Sequence, residues 1–502
     1  MNASKRFKRE PFQLEQLPNE LFLEIFAYLT SIDVVYSFSQ LNNRFRHLLT
    51  NYVNNFDFES VSKVKFDYVT QHHDIHSWRS LRLSNDDKTP GQIKLFCQLY
   101  PPPRYLSQLQ TLSLLNMHHN FNKETFFQSG SFDQLVSLTI GDICGEHMPV
   151  FQLPSLQQLT VVGCKHTCWL MNLHQLKNLK YTVKSRCIHL EALKFPTTLN
   201  KLSLVYDVDD GENEIQTALQ NLPQLTKLTL YTNNIRHLLP NGRQWEELIT
   251  SSLPLLKIFQ FCFSFDVYAS ITDSIHNVVA SFSTPFYLLE KCWFIRCDFD
   301  NAYGFCGTLY SLPFAFPEMP INCISFDSSM STIITDNVDE TKYNSQRTIE
   351  TLNVPSEEFA NLLVNIPQLQ SLTSTLIDLI ILTEKFTNKI VCDILSKQIQ
   401  SLTISPNYSA DELGNVPVRH LNNIVRVFKK SCRHLSLGIA AHPNTIQPIL
   451  RRMQKLHSLH ISCKSWNAAQ TWLIQPPTII QECDFMYVAD ERNFYVWFGN
   501  RC

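Results

Sequence analysis

LPQLTKLTLYTNNI, residues 222–235, holds the pattern on which the fold of this chain turns. Leu225, Leu228 and Leu230 fall on the spacing apolar-x-x-apolar-x-apolar, and Pro223 stands just ahead of them. Proline fixes its own φ and pushes the residue before it into extended backbone, so whatever precedes the leucines must end there. The last positions alternate apolar and polar, as a half-buried strand does. The stretch spells a turn followed by a short strand.

The same template returns as LQTLSL (109–114), LVSLTI (135–140), LQQLTV (156–161), LNKLSL (199–204) and LKIFQF (256–261). It comes back as INCISF (321–326), IETLNV (349–354), IQSLTI (399–404), CRHLSL (432–437) and LHSLHI (456–461). WRSLRL (78–83) reads as a first copy, and LKNLKY (176–181) and LQSLTS (369–374) as degenerate ones. Pro154, Pro223, Pro254 and Pro367 mark strand entries, and helical patterns lie between strands. One runs from Ser356 to Ile366 behind an acidic first turn, another from His420 to Lys430.

Steps of about 20 to 31 residues between the early copies are those of leucine-rich repeats and their irregular relatives. LTKLTLYTNNI puts Asn233 in the asparagine position of that consensus, LQQLTVVGC offers Cys164 there, and the other copies depart. The chain thus resembles the irregular class. That resemblance implies an α/β solenoid, with parallel strands on the concave face and helices or loops outside. Unrelated strands of an ordinary α/β domain are the alternative, and they would have no reason to repeat one template so often.

Side chains alternate across a strand. Leu112 and Leu114 should point inward, leaving Ser113, Thr139, Thr160, Ser203, Thr229, Gln260, Ser325, Asn353, Thr403, Ser436 and His460 as a central outward column. Serine and threonine also simply suit a solvated sheet. As a binding surface, the face would recruit Lys201, Lys227, Tyr231 and His460 for contacts with a protein substrate. The aromatic and proline-rich 299–320 and the polar 328–348 read as long loops and candidate recognition elements. CDFMYV (483–488) and FYVWF (494–498) read as a hairpin that covers the last open edge.

Composition narrows the classes. With 44% hydrophobic and 18% charged residues, the 502-residue chain can bury a substantial core. A formal net charge of −2 gives no electrostatic case for nucleic acid or an anionic membrane as partner. No apolar run is long enough for a membrane span, and MNASKRFKRE at the start is no secretory signal. We expect a cytoplasmic protein, with Lys5-Arg6-Phe7-Lys8-Arg9 leaving nuclear entry open. The fifteen cysteines contain no C-x-x-C pair and read as reduced thiols. Cys164, His166 and Cys168, with His174 beyond, lack a second half for zinc. No phosphate-binding glycine loop, metalloprotease helix or nucleophile elbow is present, so we expect neither catalysis nor a cofactor.

LPNELFLEIFAYLTSIDVVYSFSQLNNRFRHLL (17–49) stands apart from the repeats. Pro18 suits a first helical position, and Leu21, Phe22, Ile25 and Leu29 form a helical face. Thr30 to Asp33 fits a capping box opening a second helix, and Asn42 can cap a third carrying Phe45, Leu48 and Leu49. Three short helices bury little alone, so their apolar surface must meet something else.

The stretch resembles an F-box. Leu17, Pro18, Glu20, Ile25, Tyr28, Leu29, Asp33, Val34, Leu41, Arg44 and Phe45 match that pattern, while the common late tryptophan is absent with Phe45 nearest in register. The resemblance implies docking on the Skp-type adaptor of a cullin-RING ubiquitin ligase. Leu17, Pro18, Glu20, Leu21, Ile25, Leu29, Val34, Leu41 and Phe45 would make that contact, and the repeats would hold an unknown protein substrate. The chain would then be a non-catalytic subunit. It divides into a disordered basic tail (1–12), the F-box (13–58), the repeats (59–480) and the capping hairpin (481–502). The alternative is a leucine-rich scaffold or ligand-binding protein unconnected to ubiquitin, its N-terminal helices serving as a cap.

Overall fold

A computed structural model describes residues 14–101, 105–117, 132–141, 153–163, 168–182, 194–206, 212–235, 241–266, 272–300, 306–313, 348–351, 369–405, 418–438, 449–462, 485–489 and 493–499. The basic tail, INCISF, the polar segment up to residue 347 and the helix expected at Ser356–Ile366 lie outside these residues, as do Cys164 and His166.

The leading leucine of each template closes a turn. Leu109, Leu135, Leu156, Leu176, Leu225 and Leu256 donate N–H to the carbonyl three residues back at 3.0–3.2 Å. The next two amides then share one carbonyl of the preceding copy. Gln110 and Thr111 both reach Arg79 O, Val136 and Ser137 reach Gln110 O, and Gln157 and Gln158 reach Val136 O. The pattern continues through Lys177 O, Asn200 O and Thr226 O, and returns later at Gln370 O, Gln400 O and Arg433 O. Each of these copies therefore enters its strand at the same height as the one before.

Strands β1 (Asn55–Asp57), β2 (Ser80–Ser84), β3 (Thr111–Leu115), β4 (Ser137–Ile140) and β5 (Gln158–Val162) pair in sequence order and in parallel. β6 (Asn178–Thr182), β7 (Lys201–Tyr206), β8 (Lys227–Ile235) and β9 (Ile258–Asp266) extend the same run. The register aligns template with template, so Leu112, Leu138, Leu159, Leu179, Leu202, Leu228 and Phe259 form one buried row. Burial alternates along the strands as the leucine spacing requires.

β10 (Phe294–Asp300) and β11 (Cys306–Leu312) complete an eleven-stranded sheet in the order β9-β11-β10. They include part of the segment expected to be a long loop at 299–320. β11 runs antiparallel to β9, so the parallel register ends there and the strands do not form one continuous run. A second, seven-stranded sheet is built from β12 (Thr348–Thr351), β13 (Ser371–Thr375), β14 (Ser401–Ser405), β15 (His434–Leu437) and β16 (Ser458–Ser462), again parallel. The expected terminal hairpin closes it: β17 (Phe485–Ala489) pairs with β18 (Asn493–Phe498), which lies antiparallel on β16.

The helices are α1 (Asn19–Ala27), α2 (Ser31–Phe38), α3 (Asn43–Tyr52), α4 (Lys63–His72), α5 (Gln92–Leu99) and α6 (Glu212–Leu219). They continue as α7 (Gly242–Ser252), α8 (Thr272–Ser281), α9 (Leu376–Leu382), α10 (Lys389–Gln398) and α11 (Val418–Phe428). One core runs from Phe22 and Phe45 of the N-terminal helices through Trp78 and the leucine rows to Tyr287, and a second serves the seven-stranded sheet. The N-terminal helices are thus fused to the first sheet.

The early and late parts of the chain also meet. Phe66 of α4 packs on Trp497 of β18, both fully buried, with ring centroids 5.4 Å apart. Gly91, which caps α5 at φ +73°, lies against the same hairpin. A Cβ there would sit 2.8 Å from Val488 Cγ2 and 3.0 Å from Met486 Cε. Gly91→Ala is expected to lower stability by about 1–3 kcal/mol from backbone strain alone. Adding Met486→Ala and Val488→Ala should relieve the crowding but leave that strain, and urea denaturation followed by tryptophan fluorescence reads both.

Candidate docking surface

The N-terminal helices are assembled by local chemistry. Pro18 caps α1 at φ −65°. Thr30 accepts from Asp33 N at 3.1 Å and donates to its carboxylate at 2.8 Å, the capping box expected for α2. Asn42 accepts from Phe45 N at 3.2 Å and opens α3. Inside, the Phe22 ring meets Phe45 edge-on at 4.6 Å, and Phe38 contacts Phe26 and Phe45 at 5.2 and 5.5 Å.

Arg44 ties the entry of α1 to α3. Its Nε donates to Asn19 Oδ1 at 2.8 Å, its terminal nitrogens donate to the carbonyls of Glu15 and Leu17 at 2.6 Å, and the guanidinium lies over the Phe22 ring. A planar fork serves three acceptors at once, which a lysine ammonium on its flexible stem does less well. The Leu17-Pro18 turn is held in place by this one side chain. Arg44 was recognised in the sequence as part of a pattern, but the carbonyls it grips are invisible there.

Several apolar side chains remain outside. Leu21, Leu29 and Leu41 are exposed, Tyr28 is 90% exposed, and Leu17 and Ile25 are half-buried beside the core. Pro18 and Glu20 are also exposed. Two expected contact residues are displaced: Val34 is 1% exposed and Phe45 is 0% exposed. Both face the chain's own core, because α2 packs against α4 and β1 while Phe45 fills the space beside Phe22. They hold the surface up from beneath.

The expected substrate residues separate into two places. Lys201 and Lys227 sit in register on β7 and β8, and Tyr231 lies beside Val205 on the same face. Lys180 on β6 is paired with Ser203 of β7 and adds a cation that the sequence reading passed over, since its copy LKNLKY looked degenerate. His460 is elsewhere, on the second sheet. It stacks on Tyr495 at 4.4 Å, and its ring nitrogens meet Ser436 Oγ at 2.7 Å and Asn493 Oδ1 at 3.2 Å. Asp87, from the loop after β2, reaches its Nδ1 at 3.4 Å. His460 is committed to the chain's own contacts, because the β2–α5 loop covers this part of the second sheet.

Ser436, His460 and Asp87 do not make a proton relay. The serine and the aspartate address the same nitrogen, whereas a relay needs one at each end of the ring. Burial pushes the Cys97 and Cys432 thiols up to about 12, so neither is a thiolate nucleophile at neutral pH. Among the described residues, no three His, Cys, Asp or Glu side chains are grouped to hold a metal ion, and no helix is long and apolar enough to cross a membrane.

A model of the F-box domain matches residues 14–57, which covers the three helices, the Arg44 clamp and the first strand. No curated protein matches the chain.

Two histidines near this region are held neutral. His73 is buried; its Nδ1 accepts from Trp78 Nε1 at 3.0 Å, its Nε2 faces Leu49 O, and burial lowers its pKa. Burial, together with the charges of Lys88, His457 and Arg433, pulls His434 down to about 3. The unfolded chain protonates these rings near 6.5, so their stabilisation is complete above that pH and is lost as the pH falls toward the folded values. Going from about pH 7 to about pH 5 should cost ~2 kcal/mol through His434. His434→Gln, which can keep a hydrogen bond to Ser458, should flatten that slope in urea midpoints measured across the interval.

Proposed function

We propose that this chain is the substrate-receiving subunit of a cullin-RING ubiquitin ligase. F-box domains in general bind Skp-type adaptors, and proteins that carry them are in general non-catalytic. The observation that carries the proposal is the F-box match at 14–57 on a unit that keeps Leu21, Tyr28, Leu29 and Leu41 exposed around a clamped Leu-Pro turn. An apolar surface of this kind, set on a rigid core, is what a partner protein can bury.

On this reading Leu17, Pro18, Glu20, Leu21, Ile25, Leu29 and Leu41 meet the adaptor, and Val34 and Phe45 support them. The two sheets belong to an irregular leucine-rich-repeat solenoid spanning residues 59–480, and 481–502 close it. The target binds the outward face of the first sheet, where Lys180, Lys201, Lys227 and Tyr231 lie on neighbouring strands. The ligase then acts by proximity. A held target presents its lysines to the charged conjugating enzyme at high effective concentration, and the chain itself makes or breaks no bond. The expected setting is the cytoplasm, with nuclear entry open.

A second reading makes the N-terminal helices a cap for the first sheet. Their continuous core favours a capping role, since Phe22, Phe45, Phe56 and Trp78 belong to one buried cluster. Capping and docking use opposite sides of the same helices, so both roles fit together. Deleting residues 1–55 would therefore damage the first sheet under either reading, and surface substitutions separate them better.

Leu21→Ala/Leu29→Ala removes exposed side chains and should leave melting nearly unchanged, while costing about 2 kcal/mol or more per residue in adaptor affinity if both are hot spots. Arg44→Ala should weaken docking by freeing the Leu17-Pro18 turn, and Arg44→Lys should restore only part of it. Co-purification and calorimetry with a recombinant Skp-type adaptor provide the measurement. Absence of binding by the parent chain, or undiminished binding by the leucine variant, would overturn the proposal.

A further inference from the structure

Two cavities open where the early part of the chain meets the polar face of the second sheet. One, of about 460 Å³, is lined with cations: Lys65, Lys88 and Arg433, with His434 and His457 alongside. Among the described residues, Asp33 is the one carboxylate that lines it, and it is already paired with Lys65. Hydrogen bonds and charge from Lys65, with a bond from Thr30, outweigh burial and keep the Asp33 carboxyl below its ordinary value. Lys88 and Arg433 have no ion-pair partner among the described residues.

Counting full charges, three cations against one carboxylate leave the lining at +2. Ser371 and Ser401 also line it, as do the cap residues Thr30 and Ser62 and first-turn residues of α2 and α4, among them Ile32 and Lys65. Ser62, which caps α4, makes no side-chain bond to its own helix. Helix starts add partial positive charge and free amides to the cations already present. The cavity lies within the range of small-molecule sites, roughly 300–1,000 Å³.

We propose that this cavity binds a small phosphate monoester as its dianion, clamped between the N-terminal helices and the second sheet. A monoester carries about −1.5 to −2 near neutral pH, which complements the uncompensated lining. Lys88 and Arg433 supply the charge-assisted hydrogen bonds, and Arg433 is suited to two phosphate oxygens at once. Because the walls come from distant parts of the chain, a bound dianion bridges them and raises stability with the logarithm of its free concentration above Kd. This inference does not rest on the ligase reading.

Calorimetry and thermal melting of the full chain, with inorganic phosphate and phenyl phosphate at chloride-matched ionic strength, test it. Saturable binding is expected, with a melting temperature that climbs with ligand. Lys88→Ala/Arg433→Ala should weaken binding about a hundredfold, since each bond to a charged group counts for a factor of ten or more. Lys88→Arg, which keeps the charge and adds donors, should retain most of it. Neither position has an ion partner to lose among the described residues, so melting without ligand should hardly change. Absence of saturable binding, or equal binding by the parent and the double alanine variant, would overturn the site. A phosphoserine peptide that needs Lys88 and Arg433 and binds tighter than phenyl phosphate would overturn its assignment to a small molecule.

Discussion

A single carbonyl shared by two amides of the next copy is the constraint from which most of this structure follows. Arg79 O takes Gln110 and Thr111, Gln110 O takes Val136 and Ser137, and the relation carries on to Thr226 O before returning in the second sheet. Buried peptide groups must find partners, and this arrangement satisfies them by stacking copies at fixed height. Once the height is fixed, the leucines of neighbouring strands fall into register and form continuous rows. A strand shifted by one residue would turn its whole apolar set outward, so hydrogen bonding and burial enforce the same register.

Such a ladder has open ends, and the protein closes them in different ways. The first sheet begins on β1, which packs beneath α2, and ends on the antiparallel pair β11 and β10. The second ends on β18 and β17, whose Trp497 is buried against Phe66 of α4. That contact brings the N-terminal part of the chain over the second sheet. One consequence is that the two sheets have different outward faces: Lys201 and Lys227 stand beside each other on the first, while His460 of the second is enclosed by Ser436, Tyr495, Asn493 and Asp87.

The N-terminal helices consequently serve three neighbours. Their inner aromatic residues extend the core of the first sheet, the starts of α2 and α4 line a cavity against the second sheet, and their outer leucines remain exposed. Arg44 makes these roles compatible. By holding the carbonyls of Glu15 and Leu17, it keeps the chain ahead of α1 folded back, with Leu17 packed beside the core.

Local patterns were legible because they rest on short-range physics. Leucine spacing and proline turns specify the strands, and the caps at Thr30 and Asn42 formed as their residue types require. Pattern alone could not say that Val34 and Phe45 point inward, since on a three-helix unit every helix has apolar residues on more than one side and packing partners choose among them. Nor could it show that the strands divide into two sheets, because the antiparallel turn of β11 depends on pairing with β9, some forty residues earlier in register. The enclosure of His460 and the cation-lined cavity bring together residues hundreds of positions apart, as Asp87 reaches His460 and as Lys65 and Arg433 line one cavity. The sequence by itself determined the repeating unit and its buried rows, through hydrogen bonds and burial that act within one copy and its neighbour. Tertiary structure decided which faces stay open, because that choice depends on how the distant ends of the chain pack together.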